Sequence, residues 1–538
     1  MDRLVILTWT DRTLAGLIGV VVCGSVFSRG GAAWWWRPAF AAAIVLIALL
    51  TATRCWIGGR LLVMRGAATF FAAFALALGA VQLAPAPAPI ARLLSPAARR
   101  LHDTGARLEL IKLEDPAAEL PHFTASRSPA TLDRSATFRK LIGGALCLVL
   151  AGAAARYVDR LQHLLIVWGF LITPFLITTL IVAVLVGGDR GGGGSAEASR
   201  LFATGSEMSE TPGWTLWIAS RPSLAEGSAE TPWLVPVADR EFGSGVLAAG
   251  AGGYLALASF GFPLALALIL DSFSPRGGRG GPLARLIDSS RGGLVMLISM
   301  ICLLAAVLIG ILAGPIACVP IVIGAAIATI PGGFASGSRR LGIGVFLAAI
   351  AAIAAGLAVG WWIGKPPSRG LFATSDDTRR VLTLWRDSTA ILGDFLPTGV
   401  GVGGFPQVIS LYKSDPLTPS TASSAVLQWG VETGLPGILL LLAFACSTVI
   451  AAPHAIRIVG RSDRCLAYGV VGAGTGLALF SIIHFSVEVA PVAIGASLLL
   501  GVWSRWSSGG SDIFSPLEYN EFGADRAEPS RVSRLVRP

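Results

Sequence analysis

Charge is scarce in this sequence. Only 14% of its 538 residues are Asp, Glu, Lys or Arg, against 54% hydrophobic, and the mean hydropathy is +0.70. That is too little charge to clothe a soluble body of this size. Short alternating segments, the mark of a membrane barrel, are missing as well. So is a small-residue cleavage site after the first apolar run, which is therefore expected to remain as a span. No C-x-x-C occurs among the seven cysteines, Cys23, Cys55, Cys147, Cys302, Cys318, Cys446 and Cys465. All lie in or beside apolar runs or their cytoplasmic flanks, which reads as neither a disulfide framework nor a metal site.

What the chain has in quantity is long apolar runs. Each is about 20 residues, enough to cross about 30 Å of hydrocarbon. The fold class is all-α: a polytopic integral membrane helical bundle of about twelve transmembrane helices, occupying residues 1–504. The expected spans are 12–29, 35–53, 67–84, 138–156, 162–187, 244–270, 292–313, 315–331, 341–363, 423–452, 465–485 and 488–504. Ala313, Gly314 and Pro315 supply the break between the seventh and eighth, and His484 to Pro491 the break between the last two.

Basic residues orient the bundle, because Lys and Arg favour cytoplasmic loops. One alternating set of loops carries Arg54, Arg60 and Arg65; Arg156 and Arg160; Arg276, Arg279, Arg285 and Arg291; Arg339 and Arg340; and Arg457, Arg461 and Arg464. The short loops of the other set carry only Arg29 and Arg37. Both termini are therefore expected in the cytoplasm. The net charge of +10 follows from loops facing anionic lipid and calls for no nucleic acid.

Three long connections then fall outside: 85–137, 188–243 and 364–422. The first opens on APAPAPI and holds a short helical candidate, SPAARRLHDTGARLELIKL. The second opens on GGDRGGGGSAEAS and continues into the Trp-bearing TPGWTLWIAS and TPWLVPVADREF. In the third, DTRRVLTLWRDSTAILG (377–393) places Val381, Leu384, Trp385, Ile391 and Leu392 near one helical face. That helix is expected to lie along the membrane surface or over a cavity. The tail, 505–538, is polar and expected to be disordered.

Function concentrates in long loops on one face of a scaffold. In the third loop FLPTGVGVGGF (395–405) puts Gly399, Gly401 and Gly404 at the G-x-G-x-x-G spacing. A dinucleotide fingerprint needs a preceding strand inside a βαβ unit, and no such unit is present. Ionisable groups at membrane depth are functional candidates because their burial is costly. Glu432, about two turns into the tenth span, is the clearest. Glu488 follows His484 by four residues, so one helical face would carry both. Composition alone favours the interfacial reading of each, Glu432 satisfied by an arginine or backbone and His484 as an ordinary interfacial histidine. Outside, Arg240, Arg369, Arg379, Arg380, Arg386 and Lys413 offer positive charge, and the guanidinium fork suits phosphate oxygens.

WRDSTAILGDFLPTGVGVGGF (385–405) resembles the signature in the large external loop of the O-antigen ligase and polymerase family. LQWGVETGLPG (427–437) resembles that family's L-x-x-x-x-E-x-G-L-x-G at the start of the following span. IHFSVEVAPVAIGA (483–496) is similar to its late H-S-x-V-D/E pattern, and VQLAPAPAPIARLLSPAARRL to an upstream Q-L-V-P stretch. The resemblance touches most of the chain. Its ligase-like region is about 292–504, with 364–422 as the large periplasmic loop.

The resemblance implies an enzyme of the bacterial inner membrane. It would transfer glycan from a polyprenyl-diphosphate-linked donor to a hydroxyl of a glycan or lipid A-core acceptor at the periplasmic face, without metal or other cofactor. By that likeness Arg380 and Arg386 contact the diphosphate. Glu432 orients them or acts on the acceptor, and His484 is a further catalytic candidate. Arg240, Arg379, Gly399, Gly401, Gly403, Lys413, Ser423 and Ser424 line the substrate.

The chain departs from the pattern in two places. Family members carry His-Asn nine and eight residues before the glutamate, and here those positions are Ser423 and Ser424, with no histidine between His163 and His454. The family's Asn-Arg-Asn stretch has only Asp239, Arg240 and Glu241 as its nearest counterpart. A serine hydroxyl has no useful basicity near neutral pH, so either Glu432, His484 or Glu488 substitutes or the acceptor is activated differently. The alternative is a non-catalytic or transport member of the same fold that binds or moves a lipid-linked glycan or small anion.

Overall fold

The computed structural model describes residues 3–27, 36–57, 67–87, 127–129, 131, 133–158, 161–188, 250–273, 290–335, 337, 339–362, 375–412, 422–459, 464–484 and 490–507. The helical candidate within 85–137, the Trp-bearing stretches of 188–243, Arg240, Arg369, Lys413, Glu488 and the tail from 508 lie outside the described residues. Apolar runs in hydrocarbon must satisfy their backbone internally, and helices do so. They are α1 (Arg3–Phe27), α2 (Trp36–Ile57), α3 (Ala67–Leu83), α4 (Arg134–Tyr157), α5 (Leu161–Gly188), α6 (Gly250–Ser272), α7 (Ser290–Ala335), α8 (Arg339–Trp362), α9 (Ser375–Asp394), α10 (Phe405–Tyr412), α11 (Ala425–Ile458), α12 (Arg464–Ile483) and α13 (Ala490–Ser507). Between α3 and α4 two short strands, β1 (Pro85–Pro87) and β2 (Arg127–Pro129), pair antiparallel with Ala86 opposite Ser128.

Among the described residues, ten segments are long and apolar enough to cross a membrane. Two of the twelve expected spans fall outside that set. The apolar part of α3, Thr69–Leu83, is shorter, and α13 is an 18-residue helix packed against α4. Two of the ten are limbs of α7, Gly293–Ala313 and Pro315–Ala335. Its 46 residues would extend about 69 Å if straight. They do not, because Cys318 Sγ lies 3.9 Å from Ile309 O, whereas nine helical residues rise about 13.5 Å. The chain folds back at Ala313–Gly314–Pro315, the expected break. The first limb then meets α8 almost backbone to backbone: a Cβ on Gly356 would stand 2.1 Å from Val307 O. Small residues allow such approach where no hydrophobic force drives helices together.

α6 is the axis of the bundle, with 94% of its span buried. Tyr254, Phe260 and Phe262 from α6 pack with Phe175 and Trp168 of α5, and Trp168 Nε1 donates to Leu264 O at 3.1 Å. A second, smaller core sits apart. Leu384 and Ile391 of α9, Phe395, Val400, Phe405 and Val408 close over Val431 of α11. The expected helix at 377–393 is thus present as α9, its Leu384 and Ile391 turned inward. Together with α10 it caps the start of α11.

Candidate functional site

The site begins with a break in α11. Gly434 has φ 66° and ψ −158°, a region essentially confined to glycine. The expected single span at 423–452 is therefore two limbs, with Ala425–Thr433 set off under the cap. Two consequences follow from helix hydrogen bonding. Pro436 has no N–H, so the Glu432 carbonyl loses its helical donor. Leu435 N turns instead to Leu396 O at 2.6 Å, which leaves the Val431 carbonyl open.

The glycine loop fills both vacancies. Val400 N donates to Val431 O and Gly401 N to Glu432 O, each at 3.0 Å. Gly399 N returns to Phe395 O at 2.7 Å and Gly404 N to Gly401 O at 2.8 Å. Gly399 and Gly401 have φ of 72° and 96°, and there is no room for side chains. A Cβ would stand 2.3 Å from Glu432 O at Gly399 and 2.2 Å from Thr131 Oγ1 at Gly401. A Cβ on Gly403, at φ 85°, would lie 3.1 Å from Ala136 Cβ of α4.

Gln82, at the end of α3, locks this arrangement. Its Nε2 donates to Thr398 O (2.7 Å) and Glu432 O (2.9 Å), and its Oε1 accepts from Val402 N (3.0 Å). Buried polar groups that are fully satisfied in this way fix one geometry. The N–H groups of residues 399, 400, 401, 402 and 404 are thus all spent within the protein. Gly399 and Gly401, expected to line the substrate, use these N–H groups to lay the loop on α11.

Ser424 is also committed. It is the N-cap of α11, its hydroxyl accepting from Leu427 N at 3.2 Å. Ser423 precedes it at φ 53°, an unusual conformation for a residue other than glycine. These two, expected to line the substrate, shape the turn into α11.

Glu432 is where the elements converge. The residue is 3% exposed. Its Oε1 accepts from Gln428 Nε2 at 2.8 Å and faces Lys140 Nζ of α4 at 3.4 Å. Gln428 is in turn held by Ala422 N on its Oε1. The Lys140 side chain keeps 30% exposure, so the pair has a buried anionic end and a cationic end in reach of solvent. Lys140 is placed by the start of α4, where Asp133 caps Ala136 N (2.9 Å) and accepts from Gln407 Nε2 of α10 (2.6 Å). The Thr131 and Thr137 hydroxyls, 2.7 Å apart, brace the same turn.

The remaining candidates stand apart. Arg379 and Arg386 lie on the exposed side of α9, Arg386 3.6 Å from the buried Asp387, and Arg380 belongs to the same helix. Among the described residues neither Arg379 nor Arg386 pairs with Glu432. His484 ends α12 with its ring 5.5 Å from Phe480 and its Nδ1 buried without a hydrogen-bond partner. Tyr412 ties the cap together by donating to Asp394 Oδ2 at 2.6 Å; burial first, then that carboxylate, pushes its hydroxyl up to about 12.

Lys140, Gln82 and Gln428 are the site residues that the sequence reading passes over. The signal for Lys140 is there: it is a lysine two turns inside an apolar helix, costly unless partnered. Among the described residues no cluster of metal-ligating side chains occurs. The chain matches no family model and no curated protein.

Proposed function

We propose that this protein transfers glycan from a polyprenyl-diphosphate-linked donor to the hydroxyl of a glycan or lipid A-core acceptor, as a ligase or polymerase of surface polysaccharide. The observation that carries the reading is the Lys140–Glu432 pair, set under an arginine-bearing cap helix at one end of a membrane bundle. The resemblance of 385–405 and 427–437 to the O-antigen ligase and polymerase family supports it, because the resembling stretches are the ones that build this site.

The reaction is a displacement. The acceptor oxygen forms a bond to the anomeric carbon, the bond from that carbon to the diphosphate breaks, and the diphosphate departs with the electron pair. The acceptor proton passes to a base. A cation where leaving-group charge develops lowers the barrier, and Lys140, with Arg380 and Arg386 on the cap, supplies it. Glu432 holds Lys140 in place and is the carboxylate available to the acceptor proton.

In this reading the bundle has twelve spans in the bacterial inner membrane, with both termini cytoplasmic and the Glu432 end periplasmic. Arg54 and the Arg156 carbonyl meet at one end of α4, and Lys140 lies at the other. Seventeen helical residues separate Lys140 from Tyr157, about 26 Å, so the basic loops and the Glu432 site face opposite sides. The positive-inside rule then puts the basic end in the cytoplasm.

A second reading has its own observation. The positions where the resembling family has His-Asn hold Ser423 and Ser424, and neither serine is a base near neutral pH. A protein that binds or moves the lipid-linked glycan without transferring it fits that loss. Purified protein, polyprenyl-diphosphate glycan and a glycan acceptor separate the two. Transfer that falls at least tenfold in Lys140→Ala and Glu432→Gln supports the enzyme. Binding with no product from any acceptor supports the carrier, and no binding at all removes both.

A further inference from the structure

At the end of the bundle remote from Glu432, a groove of about 570 Å³ opens between the second limb of α7, the end of α11 and the start of α12. Its walls are of two kinds. Ile330, Pro331, Phe334, Pro453 and Ile456 make an apolar floor, and Arg457, Arg464 and Tyr468 stand along it. Phe334 is 50% exposed, and the Arg339 guanidinium lies over its ring at 4.7 Å. Three cations thus surround one apolar slot.

Among the described residues no carboxylate compensates this charge. Arg464 is the first residue of α12, and the N-terminus of a helix is itself electropositive. Its Nε is buried with no hydrogen-bond partner. A buried unsatisfied donor costs about 1–3 kcal/mol, more when charged. Among the described residues neither Arg457 nor Arg464 is paired with a carboxylate. The place is rigid, since Cys465 Sγ donates to Gly332 O at 3.1 Å and joins α12 to α7 beside the groove. An anion seated between the two guanidinium groups answers each of these deficits.

The structure assigns this groove to the headgroup of an anionic phospholipid, its phosphate between Arg457 and Arg464 and its acyl chains along Phe334, Pro453 and Ile456. A free phosphate uses only the arginines, whereas a phospholipid also covers the exposed apolar floor. A basic recess between helices at a membrane surface is suited to such headgroups. The assignment is independent of what the Glu432 site does.

Native mass spectrometry of the full chain released from detergent tests it, with phosphatidylglycerol, phosphatidylcholine and inorganic phosphate as probes. The expected result is retention of phosphatidylglycerol at least fivefold above phosphatidylcholine, lost in Arg457→Gln/Arg464→Gln. Arg457 is exposed on the last turn of α11, so Arg457→Gln alone gives a second variant that folds, with a retention loss of at least twofold. Equal retention of the two lipids, or retention unchanged in both variants, overturns the assignment. Displacement of phosphatidylglycerol by millimolar inorganic phosphate overturns the lipid as occupant in favour of a free anion.

Discussion

The two ends of α4 each carry a buried ion pair, and they differ in what surrounds the cation. At the Tyr157 end, Arg54 is 2.6 Å from Asp11, donates to Arg156 O at 2.7 Å, and lies 6.0 Å from the Tyr157 ring centre. His163 closes the group, its Nδ1 on Tyr157 O at 2.9 Å and its ring stacked on Tyr157 at 4.4 Å. The Arg54 side chain is 10% exposed and its geometry is exhausted by protein. At the Lys140 end the anion is the more enclosed, 5% exposed against 20% for Asp11, while the ammonium is compact, rotatable and 30% exposed. An arginine fork suits a fixed junction and a lysine suits a charge that must also meet a ligand. The same helix therefore has a closed pair that builds the bundle and an open one that can work.

Removing each cation sharpens the contrast, and Arg54 should cost the more in stability. Arg54→Ala leaves Asp11 inside the bundle without its cation, and loss of one partner of a buried pair costs about 3–5 kcal/mol. Thermal unfolding in detergent should register it, with surface-glycan output following only the amount of folded protein. Output that falls further than protein level would mean the closed pair is functional as well.

Gly434→Ala comes next, at about 3 kcal/mol, because the residue enters a glycine-only region and its Cβ would stand 2.5 Å from Gly399 N. Limited proteolysis should show the cap released while α6 and α7 stay protected. Protection unchanged at 395–405 would show that the loop does not depend on the break.

Gln82→Leu is a milder form of the same test. It removes the Gln82 donor from Thr398 O and from Glu432 O, which keeps Gly401 N, and strands the Val402 N–H, at about 1–3 kcal/mol if that group stays dry. Amide exchange at Val402 should accelerate, and exchange at the Tyr157 end should not. The smallest effect belongs to Tyr412. Its hydroxyl is raised by burial and by Asp394, so its bond to Asp394 contributes fully below about pH 10 and is lost as pH rises through about 12. Tyr412→Phe should abolish that alkaline loosening of α10, read by amide exchange between pH 9 and 12. Identical profiles for both proteins would remove the bond from the account.

Much of this was legible in the sequence, and the reason differs by residue. The spans follow from uninterrupted apolar runs, and the reversal in α7 from Pro315 after Ala313 and Gly314. α9 follows from the spacing of Leu384 and Ile391. The glycine signature stands out in the sequence, yet the direction of its N–H groups depends on carbonyls that Gly434 and Pro436 leave open. That coupling needs three dimensions. Lys140 and Gln82 were hidden by distance in the chain. Lys140 meets Glu432 across 292 residues, and Gln82 reaches Thr398 and Glu432 across 316 and 350. Ser424 stands where the resembling family has Asn, and its capping bond to Leu427 depends on where α11 starts, which the sequence leaves open.

The central claim is that the open pair is the working one. Surface polysaccharide from cells carrying Lys140→Met, compared with wild type at matched membrane levels of the protein, tests it most directly. The account predicts that chain attachment or length collapses although the protein accumulates normally, because the methionine keeps the stem and removes the charge that the proposed reaction requires. Unaltered polysaccharide in Lys140→Met would contradict it.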